Sequence, residues 1–292
     1  MMTNTALLDL IHYDDLYTEL RRVEGNSADY FHWHQCLEIL YIESGVGLVI
    51  VDNQKFTARP GRLFIFPQNK LHKVKVDSDI NNYYSRTIIH VDPEYIATFI
   101  RPFKSAWQLY SEMIADNAKV SIYDFSANMV RISHLLDSLT ESYEATSKGE
   151  VIALFILNLL QLLPDGVFIN SGSSGLLSSR MMHYVDQHFR SGITLEELAS
   201  HLSLSGSHIS RQFRKETGST FQEYLIIRRI KYACYLLEQT ELAVSEIALQ
   251  SGFNYVTYFI KCFSQVTGTT PLRFKKNSRK QSKYQPATGR SP

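Results

Sequence analysis

Residues 193–220 read ITLEELASHLSLSGSHISRQFRKETGST, and residues 242–270 read LAVSEIALQSGFNYVTYFIKCFSQVTGTT. The second stretch echoes the first. Leu195, Leu198, Ala199 and Leu204 correspond to Val244, Ile247, Ala248 and Phe253 at an offset of 49. Ile209, Phe213, Thr217 and Gly218 correspond to Phe259, Phe263, Thr267 and Gly268 at an offset of 50. The one-residue slip falls in a turn, where an insertion costs least. Two copies are too few for a stacked solenoid. A pair of helix-turn-helix units is expected instead, at about 195–216 and 244–266.

Each unit follows the recipe of a helix pair that reads DNA. Thr194 and Glu197 form a T-x-x-E capping box that starts the first short helix at Leu195. Small Ala199 permits a close helix crossing, and Ser205 caps the second helix, with Ile209 and Phe213 on its inner face. Gly206, Ser207, His208, Ser210, Arg211 and Arg214 are then the candidates for DNA contact, with base edges at the helix N-terminus and phosphates beside the arginines. In the second unit Val256, Thr257, Tyr258 and Lys261 take that place, with no clear cap because Tyr255 stands where the first unit has Ser205. Between the units, FQEYLIIRRIKYACYLLEQ reads as one long helix with Phe221, Leu225, Ala233, Leu236 and Leu237 inward. The plainer alternative is an all-α interaction module whose repeat only packs.

Charge favours DNA. The chain has a net charge of +1, but residues 1–178 carry 14 Lys+Arg against 21 Asp+Glu, and residues 179–292 carry 16 against 8. A half at +8 suits a polyanion and a half at −7 does not. Cys36, Cys234 and Cys262 form no CxxC pair, so a reducing cytoplasm is expected. No signal peptide is apparent at the N-terminus, and the apolar run Val151–Leu163 is too short to cross a bilayer, so no membrane partner is expected.

The stretch from about Ser179 to Lys276 resembles the DNA-binding domain of the arabinose-regulator (AraC) family. TLEELA, SHISRQFRKETG, RRIKYACYLL, SEIALQSGF, TYFIKCF and TGTTPLRFKK carry the likeness in order. The resemblance implies two helix-turn-helix motifs joined by a long helix, and double-stranded DNA as partner. Ser264-Gln265 stands where relatives carry basic residues, which removes an expected phosphate contact.

The N-terminal half differs in kind. From Leu37 to about His90, short β-rich runs such as LEILYIE, LVIV, RLFIF and YSRTIIHV alternate with SGVG, DNQ, RPG and PQNK turns. That spacing suggests an antiparallel barrel or sandwich. Helical periodicity follows, near Met129–Tyr143 and Gly149–Leu163. His32, His34 and Glu38 stand at even spacings in FHWHQCLEILYIESG, so on a strand they share one face, and His72 follows in PGRLFIFPQNKLH. These segments resemble the two motifs of the cupin barrel, with Gly45, Gly61 and Pro67 also matching and Asn69 replacing a Gly. The resemblance implies that His32, His34, Glu38 and His72 are the metal cluster of that fold. The residues themselves admit three readings: a divalent metal site, an effector pocket that also uses Tyr41 or Trp33 as an apolar wall, or satisfied structural histidines.

The organisation expected is therefore a cupin-like barrel with helices over residues 1–163, a Gly/Ser-rich linker at 164–178, a DNA-binding domain at 179–278 and a basic disordered tail at 279–292. The function expected is a transcriptional regulator, an activator rather than a repressor, under a small effector such as a sugar. A homodimer through the 149–163 helix and RNA polymerase are the further partners. The alternative is a metal-dependent cupin enzyme with a DNA-binding appendage; no catalytic residue and no certain cofactor is assigned.

Overall fold

The computed structural model describes residues 18–25, 30–76, 83–115, 118–143, 147–164 and 177–282. They belong to two compact units that divide at Ser174 and Gly175. Most of the linker expected at 164–178 lies outside the described residues.

The first unit contains strands β1 (Thr18–Glu24), β2 (Leu37–Ser44), β3 (Gly47–Val51), β4 (Gln54–Ala58), β5 (Arg62–Phe66), β6 (His72–Lys75), β7 (Ser85–Val91) and β8 (Ser121–Asp124). Its helices are α1 (Pro93–Ile100), α2 (Lys104–Ile114), α3 (Met129–Tyr143) and α4 (Lys148–Leu162). The strands form a five-stranded antiparallel sheet, β1-β7-β2-β5-β8, and a three-stranded one, β4-β3-β6. Of the barrel or sandwich expected, the described residues show two antiparallel sheets that share one core, with no closed ladder among them. The chain changes sheet between β2 and β3, at Gly45, and again between β4 and β5, at Gly61. The φ of Gly61 is +84°, and an added Cβ would sit 2.9 Å from the Ser126 backbone nitrogen.

Alternation along β2 divides the unit into two cores. Leu37, Ile39 and Tyr41 face helices α1–α4 in one buried cluster with Ile96, Leu136, Phe155 and Leu159. Leu40 and Ile42 face the opposite sheet with Val49, Phe56, Phe64, Phe66 and Val74. Glu38 shares the parity of Leu40, so it points between the sheets. Asn69 adopts φ 57°, and its N–H donates to His34 O at 2.8 Å. Asparagine is among the few residues that tolerate this left-handed conformation, which explains how it replaces the glycine of the motif.

The second unit is helical: α5 (Leu177–His188), α6 (Leu195–His201), α7 (Gly206–Thr217), α8 (Phe221–Gln239), α9 (Val244–Gln250), α10 (Val256–Thr267) and α11 (Pro271–Ser282). The sequence repeat is a repeat of hydrogen bonds. Leu204 N–H donates to Ala199 O at 2.9 Å, and Phe253 N–H donates to Ala248 O at 3.0 Å. Thr217 Oγ1 donates to Phe213 O at 2.8 Å, and Thr267 Oγ1 donates to Phe263 O at 2.8 Å. Gly218 and Gly268 close both second helices at φ 72° and 71°. The slip lies where expected, between α9 and α10, which are one residue further apart than α6 and α7.

The capping box at Thr194 forms, with Glu197 N–H donating to Thr194 Oγ1 at 3.1 Å and Thr194 N–H to Glu197 Oε2 at 2.9 Å. Ser205 caps α7, and Tyr255 provides no side-chain cap for α10. A second box, Thr220 with Glu223, starts α8. It has the same T-x-x-E spacing and was readable in the sequence. The helix α11 continues to Ser282, past residue 279 where the tail was expected to begin; residues 283–292, the rest of that expected tail, lie outside the described residues.

Candidate functional site

On α7, Ser207, Ser210, Arg211 and Arg214 fall three and four residues apart and form one exposed stripe, with His208 exposed beside it. Ile209, Phe213 and Thr217 on the opposite side are fully buried. Burial on one side therefore fixes which side is presented. Gly206, partly exposed at the first turn, is not a steric necessity: an added Cβ would meet nothing nearer than Leu195 Cδ2 at 4.0 Å. On α10, Thr257, Tyr258 and Lys261 are exposed and Val256 is half-buried, against buried Phe259 and Phe263. The Tyr258 ring leans on Phe253, with centroids 6.1 Å apart.

The first unit holds a different arrangement. His32 pairs with His72 in an isolated backbone bridge, which brings the first motif to β6. His34 Nε2 lies 2.5 Å from Glu38 Oε2, and His72 Nε2 lies 3.5 Å from the same oxygen. The His32 and His72 rings are 4.3 Å apart at their centroids, and Phe66 stacks on His72 at 4.1 Å. Four of the sequence-expected residues thus meet between the sheets. Tyr41 does not, and its assignment is corrected: three residues from Glu38 on a strand, it points the other way into the helix-side core. Trp33 is likewise 2% exposed and offers no open wall.

Two residues join the site without a motif to announce them. His90 on β7 is register partner to Glu38, and its Nε2 lies 3.2 Å from Glu38 Oε2. Its Nδ1 donates to Glu19 Oε2 on β1 at 3.0 Å. Cys36 Sγ lies 3.2 Å from His34 Nδ1. The one sequence signal was a polar His90 inside the apolar run TIIHV.

Burial works against ionising Glu38, but hydrogen bonds from His34 and His90, with the His72 ring beside them, outweigh it and hold its carboxyl well below the usual range. Burial also opposes charge on His34, yet Cys36 and Glu38 beside it raise it well above an ordinary imidazole. His90 is pushed up to about 9: burial opposes this, and the Glu19 and Glu38 hydrogen bonds overcome it. His32 is held well below its usual value by burial and by neighbouring His72.

The donor set fits a divalent metal. His72 Nε2 is buried without a hydrogen-bond partner, and a buried lone pair aimed into a cluster of imidazoles and a carboxylate is what a cation satisfies. Ligand atoms of His32, Glu38 and His72 lie within 4.8 Å of one another, as do those of His34, Cys36 and His90.

Comparison with known proteins agrees with this architecture. Residues 198–277 match the helix-turn-helix domain family, and residues 16–118 match the AraC-like ligand binding domain family. The uncharacterised HTH-type transcriptional regulator YdeC of Bacillus subtilis is 25% identical over 84% of this chain and 85% of its own length. The uncharacterised HTH-type regulator SAS0078 of Staphylococcus aureus is 25% identical over 88% of this chain, which spans 33% of that relative. Among solved structures, ToxT of Vibrio cholerae aligns over 89% of this chain and 97% of its own, at 14% identity and a TM-score of 0.37. With a ligand-binding half and a helix-turn-helix half matched in order, the chain belongs to the AraC family of helix-turn-helix transcriptional regulators.

Proposed function

We propose that the chain binds its operators through α7 and α10 and that the domain formed by residues 1–163 senses a small effector. The observation that carries the reading is the exposed Ser207, Ser210, Arg211 and Arg214 stripe on a capped helix whose other side is fully buried. The helix α8 of 19 residues is about 28 Å long at about 1.5 Å per residue. Such a rigid connection suits two reading heads on successive major grooves, which repeat at about 34 Å. Arg211 and Ser207 take base edges, Arg214 and Lys261 take phosphates, and α10 adds the smaller share because its face is less basic.

The effector site is the cluster of His32, His34, Glu38 and His72. A sugar or sugar derivative is the first organic class to test, since imidazoles and a carboxylate recognise hydroxyls. Activation through contact with RNA polymerase, a homodimer, and a cytoplasmic location complete the proposal; no helix among the described residues is long and apolar enough to cross a membrane. An enzymatic role is the weaker reading, because the two families matched describe a regulator's ligand-binding and helix-turn-helix domains. Titrating the full chain against operator and scrambled duplexes at several salt concentrations tests the proposal. Affinity that falls linearly in log–log form, at about 0.9 per phosphate contact, supports it. Equal affinity at low and high salt refutes it.

A further inference from the structure

The four histidines around Glu38 are built alike. Each has Nδ1 held from outside: His32 by Tyr30 O at 3.3 Å, His34 by Cys36 O at 3.1 Å and His72 by Lys70 O at 2.9 Å. His90 Nδ1 is held by the Glu19 carboxylate at 3.0 Å. Carbonyl and carboxylate oxygens only accept, so the hydrogen sits on Nδ1 in every ring. In the neutral ring, Nε2 is then a bare lone pair. His34, His72 and His90 turn that lone pair toward Glu38 Oε2, at 2.5, 3.5 and 3.2 Å. His32 completes the ring within 4.8 Å of Glu38 and His72.

With the rings neutral, four imidazole nitrogens and a carboxylate converge on one largely buried point, and a shared cation, either protons on the rings or a metal ion, makes such convergence favourable. Metal–donor bonds of about 2.0–2.2 Å put neighbouring donors about 3 Å apart, close to the spacing His72 and His90 keep from Glu38. An outer oxygen that fixes the remote ring nitrogen is the usual support of a metal-bound histidine. Here all four rings have one.

We infer that His90 binds one first-row divalent metal ion directly, together with His32, His34, Glu38 and His72, and that Glu19 orients the His90 ring from the far side. The inference rests on the reading of this cluster as the sensor's ligand site, and it names the ligand class. His90 adds β7 to the segments joined by the ion, and Glu19 adds β1. Occupancy would then stiffen the five-stranded sheet at the very strands the cupin motifs do not mention. The competing triad of His34, Cys36 and His90 is disfavoured, because His34 would have to give up its Nδ1 bond to Cys36 O.

The test uses the full chain, stripped with chelator and titrated with Co²⁺ under visible absorption. One Co²⁺ per chain is expected, without a thiolate-to-cobalt charge-transfer band and with Cys36→Ser unchanged. His90→Gln should weaken binding a hundredfold or more, and Glu19→Gln about tenfold to a hundredfold. Glu19 is 38% exposed, so its variant reports even if His90→Gln fails to fold. Absence of stoichiometric Co²⁺ in the wild type overturns the inference. So does a folded Glu19→Gln with wild-type affinity, or a charge-transfer band that Cys36→Ser abolishes. Operator binding by the same stripped protein is measured separately; its loss counts against the regulator reading and not against the metal site.

Discussion

His90 stands directly across the β2–β7 ladder from Glu38, with its Nε2 3.2 Å from the Glu38 carboxylate and its Nδ1 3.0 Å from Glu19. One ring therefore joins a buried carboxylate to a half-exposed one. Without metal, the same ring works as a cation between two anions, which makes the sensor half depend on pH.

The sign follows from linkage. The folded pKa of His90 is raised from 6.5 to about 9, and that of His34 is raised as well. Between those values the folded state holds protons that the unfolded state has lost. The stabilisation is complete below about pH 6.5 and fades as pH rises through about 9. Urea midpoints of chelator-treated protein should fall across this window, and His90→Gln should flatten the fall. A midpoint that rises with pH would contradict the assignment.

At α7 the expectation is a split between two arginines. Arg211→Ala should cost about 1–3 kcal/mol at a specific operator if it reads a guanine edge. Arg214→Ala, at the phosphates, should weaken specific and non-specific binding alike and reduce the salt slope by about one. Both side chains are exposed, so melting temperatures should stay near wild type. Wild-type affinity in both variants would show that α7 is not the reading helix.

The C-terminal unit was legible nearly to the atom, because its information is local. Caps, inward residues and the turn slip all lie within a few residues of one another. Helix periodicity and the T-x-x-E spacing fix them without knowledge of the fold. The His cluster was half legible. His32, His34, Glu38 and His72 carry a motif, whereas His90 enters through strand register, and register between segments 52 residues apart leaves no mark in a single sequence. Tyr41 failed for the same kind of reason. Its place near the cluster was read from proximity along the chain, and strand parity sends it to the opposite face.

Arg229 offers a test of how the helical unit is held. It is buried on α8, its Nε donates to Phe189 O at 2.7 Å, and its Nη2 donates to Ser191 O at 2.8 Å. Its guanidinium also lies over the Phe253 ring, 5.7 Å from the centroid. The same side chain thus ties the turn after α5 to the second helix-turn-helix. Arg229→Leu leaves two carbonyls without donors and should cost about 2–4 kcal/mol by urea denaturation. Arg229→Lys should recover little of this, since an ammonium cannot bridge both carbonyls from one planar fork. Full recovery with lysine would show that charge alone holds the turn.

The last prediction concerns α4 and the proposed homodimer. A homodimer through the 149–163 helix would turn leucines such as Leu154, Leu157 and Leu160 toward a second subunit, but the last of these is not available. Leu160 is 6% exposed and packs in its own core with Ile156 and Leu159, and Leu157 packs partly against the same core. The reason is that α4 meets α1, α2 and α3 at once, which takes up most of an apolar helix surface. Leu154 remains, 60% exposed between Glu150 and Asn158. A dimer formed through α4 must therefore be centred on Leu154. Leu154→Glu should change monomer stability by no more than about 0.5 kcal/mol, as for other exposed positions, while shifting the full chain from dimer to monomer in sedimentation. Leu160→Glu should instead unfold the first unit, because a buried carboxylate there has no partner. Binding to paired half-sites should weaken far more than binding to one half-site in Leu154→Glu. If the unmodified chain already sediments as a monomer, α4 serves only to cover the sheet and the paired-site preference must arise within one DNA-binding unit.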